Sequence, residues 1–314
     1  MTRTLDPDDL AGAVLAGDRR ALARAITIVE DGRHGADAIV AALFPGPDAA
    51  HRIGLTGAPG AGKSTITDRL VTAFRADGDP VAVLAVDPSS PFSGGAVLGD
   101  RVRMQAHVDD PGVFVRSMAS RGHLGGLSSA APKALVVLEA AGFPRIVVET
   151  VGVGQDEVEI AGAADTTVVV VTAGWGDGVQ AAKAGILEIG DVFVVNKADR
   201  PGADETVADL RSMLAMGPER PWTPPVLTTT ATSGEGVADL ARAVDAHAAH
   251  LRATGAWEER RRDRRRAELA GALVDEYRSL VAGVVEASPI TADVVDGRLD
   301  PWTAAVRIAG AGDG

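Results

Sequence analysis

The sequence predicts an α/β fold: a P-loop NTPase with a mostly parallel central sheet flanked by helices, preceded by a helical N-terminal extension and followed by a C-terminal helical arm. Three observations predict it. Seven short β-branched runs alternate with helical patterns between residues 51 and 255. Nearly every run is apolar throughout, as strands of a parallel sheet covered on both faces read, instead of alternating in polarity. A glycine-rich loop separates the first run from the helical pattern after it, which is the placement a phosphate cradle needs.

The elements follow in order. Residues 1–50 read as helices, because DPDDLAGAVLAGDRRALARAITIVED places apolar residues at helical spacing behind an acidic start at Asp8 and Asp9. Residues 51–255 carry the strand candidates RIGLT (52–56), VAVLAV (81–86), VFVRS (113–117), RIVVE (145–149), TVVVV (167–171), VFVVN (192–196) and PVLTT (225–229). Helical patterns between them imply βαβ units. MGPERPWTPP (216–225) is a proline-rich loop. Residues 256–314 form the arm, a long charged helix and then a short tail whose AGAGDG end frays. Leu269, Leu273, Tyr277 and Leu280 give that helix an apolar stripe that supports helix packing. The six arginines between Arg260 and Arg266 are flanked by Glu258, Glu259 and Glu268, with no interleaved aromatics, and read as a solvated or intersubunit face.

Composition narrows the function classes. With 314 residues, 46% of them hydrophobic, a sizeable core is affordable. A net charge of −12 argues against nucleic acid as the partner. The absence of cysteine excludes disulfides and thiolate metal sites and fits a reducing, cytoplasmic setting. MTRTLDPDDLAG lacks the apolar segment of a signal peptide, and no run of about 18 apolar residues suggests a membrane span.

GAPGAGKS fits G-x-x-x-x-G-K-[ST] at each fixed position, with a strand before it and a helix after it. Gly57, Ala58, Pro59, Gly60, Ala61 and Gly62 would wrap around the phosphates, with the loop's backbone N–H groups turned toward phosphate oxygens, and Lys63, Ser64 and Thr65 open the helix whose N-terminus favours anions. Lys63 would reach the β- and γ-phosphates, and the Ser64 hydroxyl would ligate Mg2+. In VFVVNKAD, Asn196, Lys197 and Asp199 follow a buried strand. Asp199 would accept from N1–H and the 2-amino group of guanine, a donor pair adenine lacks, so an adenine would leave the carboxylate unpaired. Lys197 would lie along the base and Asn196 would hold the loops together. TTTATSGEG (228–236) resembles the loop that meets guanine O6 through backbone N–H groups, with Thr230 and Ala231 as the contacts. In ETVGVGQDE (149–157) a strand ends in Glu149 and two glycines follow. A carboxylate there would hold Mg2+, and Gly152 would give its N–H to the γ-phosphate and lose that contact after hydrolysis.

GAPGAGKST, AVDPSSPFSGGAVLGDRVRM, SMASRGHLGGL, VVETVGVGQDE, QAAKAGILEIGDVFVVNKADR and the late DPWTAA together resemble the MeaB/ArgK family of GTPase chaperones, which serve adenosylcobalamin-dependent methylmalonyl-CoA mutase. The resemblance covers most of the chain. It implies a Mg-dependent GTPase that gates cofactor loading and protects or reactivates the mutase, with GTP as substrate and GDP as product. No cobalamin would be held by this chain itself. The mutase and its adenosyltransferase are the implied partners, and the arm implies a homodimer. The resemblance places Asp87 and Asp100 near Mg2+, and gives Asp87 a role in orienting the attacking water. It makes GWGDGVQAAKAG (174–185) an additional switch facing the mutase, with Gln180 and Lys183 as contacts, although Trp175 and Val179 depart in size from the pattern. Gln155 stands at the wrong offset for a Ras-like water-positioning glutamine, and Arg121 reads as structural. His107 and His123 are isolated, unlike the His/Cys clusters of nickel-inserting GTPases. Isobutyryl- and ethylmalonyl-type mutases, or a kinase of basic amino-acid transport, are the alternatives.

Overall fold

The seven apolar runs are seven strands, β1 (His51–Thr56), β2 (Val81–Asp87), β3 (Val113–Ala119), β4 (Arg145–Thr150), β5 (Thr166–Thr172), β6 (Val192–Asn196) and β7 (Val226–Thr229). They form one sheet in the order β3-β2-β4-β1-β5-β6-β7, and every pairing is parallel. The structure is a computed structural model and describes residues 6–44, 50–87, 104–107, 109–119, 130–150, 156–174 and 180–310.

Alternation along β2 shows why the runs lack polar residues. Val81 and Val83 face one apolar cluster, with Ile66, Leu70 and Phe74 of α4 (Lys63–Ala76) and Leu240 and Val244 of α9 (Val237–Thr254). Ala82, Leu84 and Val86 face a second cluster, with Leu135 and Leu138 of α5 (Ala130–Ala140) and Ile160 of α6 (Asp156–Ala163). Both faces of the strand are therefore dry. The remaining helices of the sheet region are α7 (Gln180–Ile189) and α8 (Ala203–Met216).

The N-terminal segment forms three helices, α1 (Pro7–Leu15), α2 (Arg19–Glu30) and α3 (Ala36–Leu43). Asp6 caps α1 and Asp18 caps α2 through N–H groups of the first turn. The three helices are built into the core. Leu10, Val14, Leu22, Ile26, Ile39 and Leu43 are buried in the same cluster as β2 and β4. Arg116 of β3 pairs with Glu30 at 2.5 Å, and Arg19 reaches the carbonyls of Pro111 and Val113.

The chain divides into two units, residues 1–264 and 265–314. The long charged helix, α10 (Ala256–Ala287), begins inside the first. Here the structure corrects half of the reading of the arginine run: Arg262, Arg265 and Arg266 are exposed as expected, while Arg260, Arg261 and Arg264 turn inward. Arg261 and Arg264 are 2% and 7% exposed, not solvated. Arg264 pairs with Asp165 at 2.8 Å, Arg261 donates to Ala50 O at 2.7 Å, and Arg260 holds both oxygens of Asp191 at 2.8 and 2.9 Å. Asp165 and Asp191 precede β5 and β6, and their side chains also accept from Arg52 N and Thr167 N. A buried charge is tolerated only when paired in this way. Burial would raise the Asp165 carboxyl, but Arg264 and Arg261 outweigh it and hold the group below its ordinary value.

Two histidines complete this end of the sheet. His51 Nε2 meets Thr166 Oγ1 at 2.8 Å, and Thr166 Oγ1 meets His247 Nδ1 at 2.9 Å. Burial pushes both imidazoles down to about 4. Trp222 of the proline-rich loop donates its indole N–H to Asp191 O and lies beside His247 and His250.

In the second unit, Leu269, Leu273, Tyr277 and Leu280 are all at least half exposed. The expected short tail is two further helices, α11 (Ile290–Val295) and α12 (Pro301–Gly310).

Candidate guanine-nucleotide site

The C-terminal ends of β1, β4, β6 and β7 bring the sequence motifs to one edge of the sheet. Register places Leu55 beside Glu149, Thr172 beside Asn196 and Asn196 beside Thr229. Such a carboxyl-end crevice is where open α/β sheets bind ligands.

The loop after β1 has the backbone that only glycine tolerates at two points. Gly57 has φ +134°, and a Cβ there would lie 2.0 Å from Val170 O. Gly62 has φ +94°, and its Cβ would lie 2.3 Å from Asn196 Nδ2. Gly62 is also the N-cap of α4 and supplies no capping side chain, so the first N–H groups of that helix open toward the loop. Lys63 is buried, and its ammonium donates to Gly57 O at 2.6 Å and Ala58 O at 3.1 Å. The cation thus spans the loop where phosphate oxygens are expected.

Ser64 donates to Glu149 Oε1 at 2.5 Å. Thr67, wholly buried, donates to Glu149 Oε2 at 3.1 Å. Sequence reading overlooked Thr67, yet it lies three residues after Ser64 and so on the same helix face. A hydroxyl beside a carboxylate is a hard oxygen donor set of the kind that suits Mg2+. Thr56 and Thr150, next to the loop and to Glu149, carry buried hydroxyls with no hydrogen-bond partner among the described residues.

Asn196 joins three segments. It is 2% exposed, donates to Ala61 O at 2.8 Å, and accepts from Thr229 Oγ1 at 3.0 Å and Ala231 N at 3.2 Å. Lys197 is the one non-glycine residue with positive φ among the described residues, at 59°, and its ammonium donates to Gly60 O at 2.7 Å. Asp199 is exposed two residues on. The Thr230 and Ala231 N–H groups, expected at the base, are committed within the protein, to Glu235 O at 3.1 Å and to Asn196 Oδ1. From α4, Arg69 donates to Ala231 O at 3.1 Å and Thr232 O at 2.8 Å, a contact that no sequence pattern marks.

Other expected residues are placed less fully. Asp87 ends β2 and pairs in register with Ala119, while Gln180 and Lys183 lie on α7. Asp100, Arg121, His123, Gly152, Gln155, Trp175 and Val179 lie outside the described residues. His107 is buried, with Nε2 3.2 Å from Asp68 O and 3.4 Å from Thr72 Oγ1.

This geometry can be set against known proteins. A family model described as methylmalonyl Co-A mutase-associated GTPase MeaB matches residues 22–285. The chain belongs to the MeaB family of GTPases. A putative GTPase of Pyrococcus horikoshii is 46% identical over 95% of this chain and 96% of its own. A fused isobutyryl-CoA mutase of Cupriavidus metallidurans is 40% identical over 66% of this chain, which corresponds to 19% of that protein. The crystal structure of a LAO/AO transport system kinase superposes with a TM-score of 0.70 at 25% identity, covering 99% of this chain and 98% of that one.

Proposed function

We propose that this MeaB-family chain hydrolyses GTP with Mg2+ and uses the cycle to chaperone an adenosylcobalamin-dependent methylmalonyl-CoA mutase, gating cofactor loading and reactivation. The observation that carries the mutase partner is the C. metallidurans relative, in which a segment like this chain is part of an acyl-CoA mutase polypeptide. That relative also favours an isobutyryl-type enzyme as the second reading.

In this account the nucleotide phosphates take up N–H groups of the loop and of the first turn of α4, and Lys63 exchanges Gly57 O and Ala58 O for phosphate oxygens. Asp199 selects guanine, and Asn196 keeps the phosphate and base loops in fixed register. Ser64 and Glu149 hold Mg2+, with Asp87 and Asp100 the further acids. When bound, the ion neutralises charge on the β- and γ-phosphates. Glu149 needs its Ser64 and Thr67 hydrogen bonds to stay aimed at the helix start. Gly152 carries the difference between GTP and GDP states, and Gln180 and Lys183 present that difference to the mutase. The apolar stripe from Leu269 to Leu280 pairs two copies, the cytoplasm is the setting, and no nucleic acid is involved.

The test is GTP hydrolysis by the purified chain, alone and with the mutase of the same organism. Acceleration that Lys183→Ala removes supports the reading. Transfer of phosphate to a protein acceptor instead of water would support the transport-kinase alternative, and acceleration only by an isobutyryl-CoA mutase would support the second reading.

A further inference from the structure

Helix α4 meets two loops of the candidate site, the one after β1 and the one after β7. Its first turn supplies Lys63 and Ser64. Six residues after Lys63, Arg69 reaches across 162 residues of sequence to the loop after β7, with Nε on Ala231 O at 3.1 Å and a terminal nitrogen on Thr232 O at 2.8 Å. Asn196 grips the same residue from its other side, through Ala231 N–H. The two peptide units flanking the Ala231 Cα are thus each held, one by its N–H and one by its C=O.

A trans peptide points its C=O and the following N–H in opposite directions. With Ala231 O turned to Arg69, Thr232 N–H is turned away from α4. Thr230 N–H goes to Glu235 O, and Ser233 and Gly234 N–H both go to Thr230 O. Among the described residues Thr232 N–H meets no acceptor within the protein. Thr232 N–H is thus a loop donor open to a ligand, beside the carbonyls that Arg69 holds.

We propose that Arg69 is a positioning residue for guanine recognition, holding the loop after β7 through Ala231 O and Thr232 O so that Thr232 N–H meets the base at its 6-oxo group. The inference rests on the guanine-nucleotide reading above and moves the base donor one residue beyond the Thr230–Ala231 pair expected from sequence. A guanidinium suits the task because two fixed donors grip two successive carbonyls, where an ammonium grips one.

The test is a competition titration of the full chain with GDP, IDP and 2-aminopurine riboside diphosphate. IDP lacks the 2-amino group that faces Asp199 but keeps the 6-oxo group; the aminopurine keeps the amine and lacks the 6-oxo group. Arg69→Met is expected to weaken GDP and IDP about tenfold each, and the aminopurine nucleotide by less than about twofold. Arg69→Lys is expected to show the same pattern at about threefold, and it carries the test if Arg69→Met does not fold, as judged by thermal melting. Equal weakening of all three nucleotides, or no change in any, overturns the role of Arg69. Wild-type protein that binds GDP no better than ADP overturns the guanine reading itself, a result separable from the first because it needs no variant.

Discussion

Replacing Asn196 tests how the phosphate and base loops are joined. Asn196→Ala removes the donor to Ala61 O and the acceptor for Thr229 Oγ1 and Ala231 N, three hydrogen bonds at a position 2% exposed. At about 1 kcal/mol each, the loss is about 3 kcal/mol. For a domain of this size that lowers the melting temperature by about 6–10 °C. GDP affinity should fall as well, because the lost bonds order the loops that the nucleotide must otherwise order on binding. Asn196→Asp separates the two ends of the side chain. It keeps both acceptor contacts but sets a carboxylate oxygen against Ala61 O, so it should be worse than alanine near pH 8 and recover toward pH 6 as the carboxyl gains a proton to donate. Melting curves without nucleotide and titrations with a fluorescent GDP read both effects. Alanine at 196 within about 0.5 kcal/mol of wild type on both measures would refute the claim that this side chain joins the loops.

Three further outcomes follow. His51 and His247 titrate near 4 when folded against 6.5 in the ordinary case, so the unfolded chain binds protons that the folded chain refuses. Their contribution to stability is complete above about pH 6.5 and is lost as pH falls toward 4; at pH 5 the loss is about 2 kcal/mol per histidine, and urea titrations across this range should show the slope halved in His247→Gln. Gly62→Ala forces a Cβ into a left-handed backbone 2.3 Å from Asn196 Nδ2; the protein should fold, with GTP binding down at least about a hundredfold in a competition assay. Arg264→Met leaves Asp165 with one fewer buried cation; stability should drop by about 3 kcal/mol in denaturant unfolding, with GDP affinity unchanged, since Asp165 stands at the start of β5 and the nucleotide site at the strand ends.

The sheet was legible because its strands are buried on both faces, which leaves continuous apolar runs such as VAVLAV and TVVVV. GAPGAGKS and Glu149 stood out for a different reason, residue type and spacing, and the register of β1 and β4 sets the ends of their strands side by side. What stayed hidden depends on long-range partners. Arg260, Arg261 and Arg264 of α10 look solvated in sequence because their acids, Asp165 and Asp191, lie about 70 to 100 residues away; the one local sign is an aspartate immediately before each of two buried strands. Arg69 was hidden in the same way, since its acceptors are backbone carbonyls and no side-chain pattern marks them. The N-terminal helices read correctly as helices, but periodicity does not say that their apolar faces join the core shared with β2 and β4.

The most direct test of the account is the rate of GTP hydrolysis by this chain, measured with and without the methylmalonyl-CoA mutase of its own organism. The account predicts slow turnover alone and marked acceleration by the mutase, with ATP inert in both. An unchanged rate, together with no co-migration of the two proteins in the presence of GDP or a non-hydrolysable GTP analogue, would contradict it.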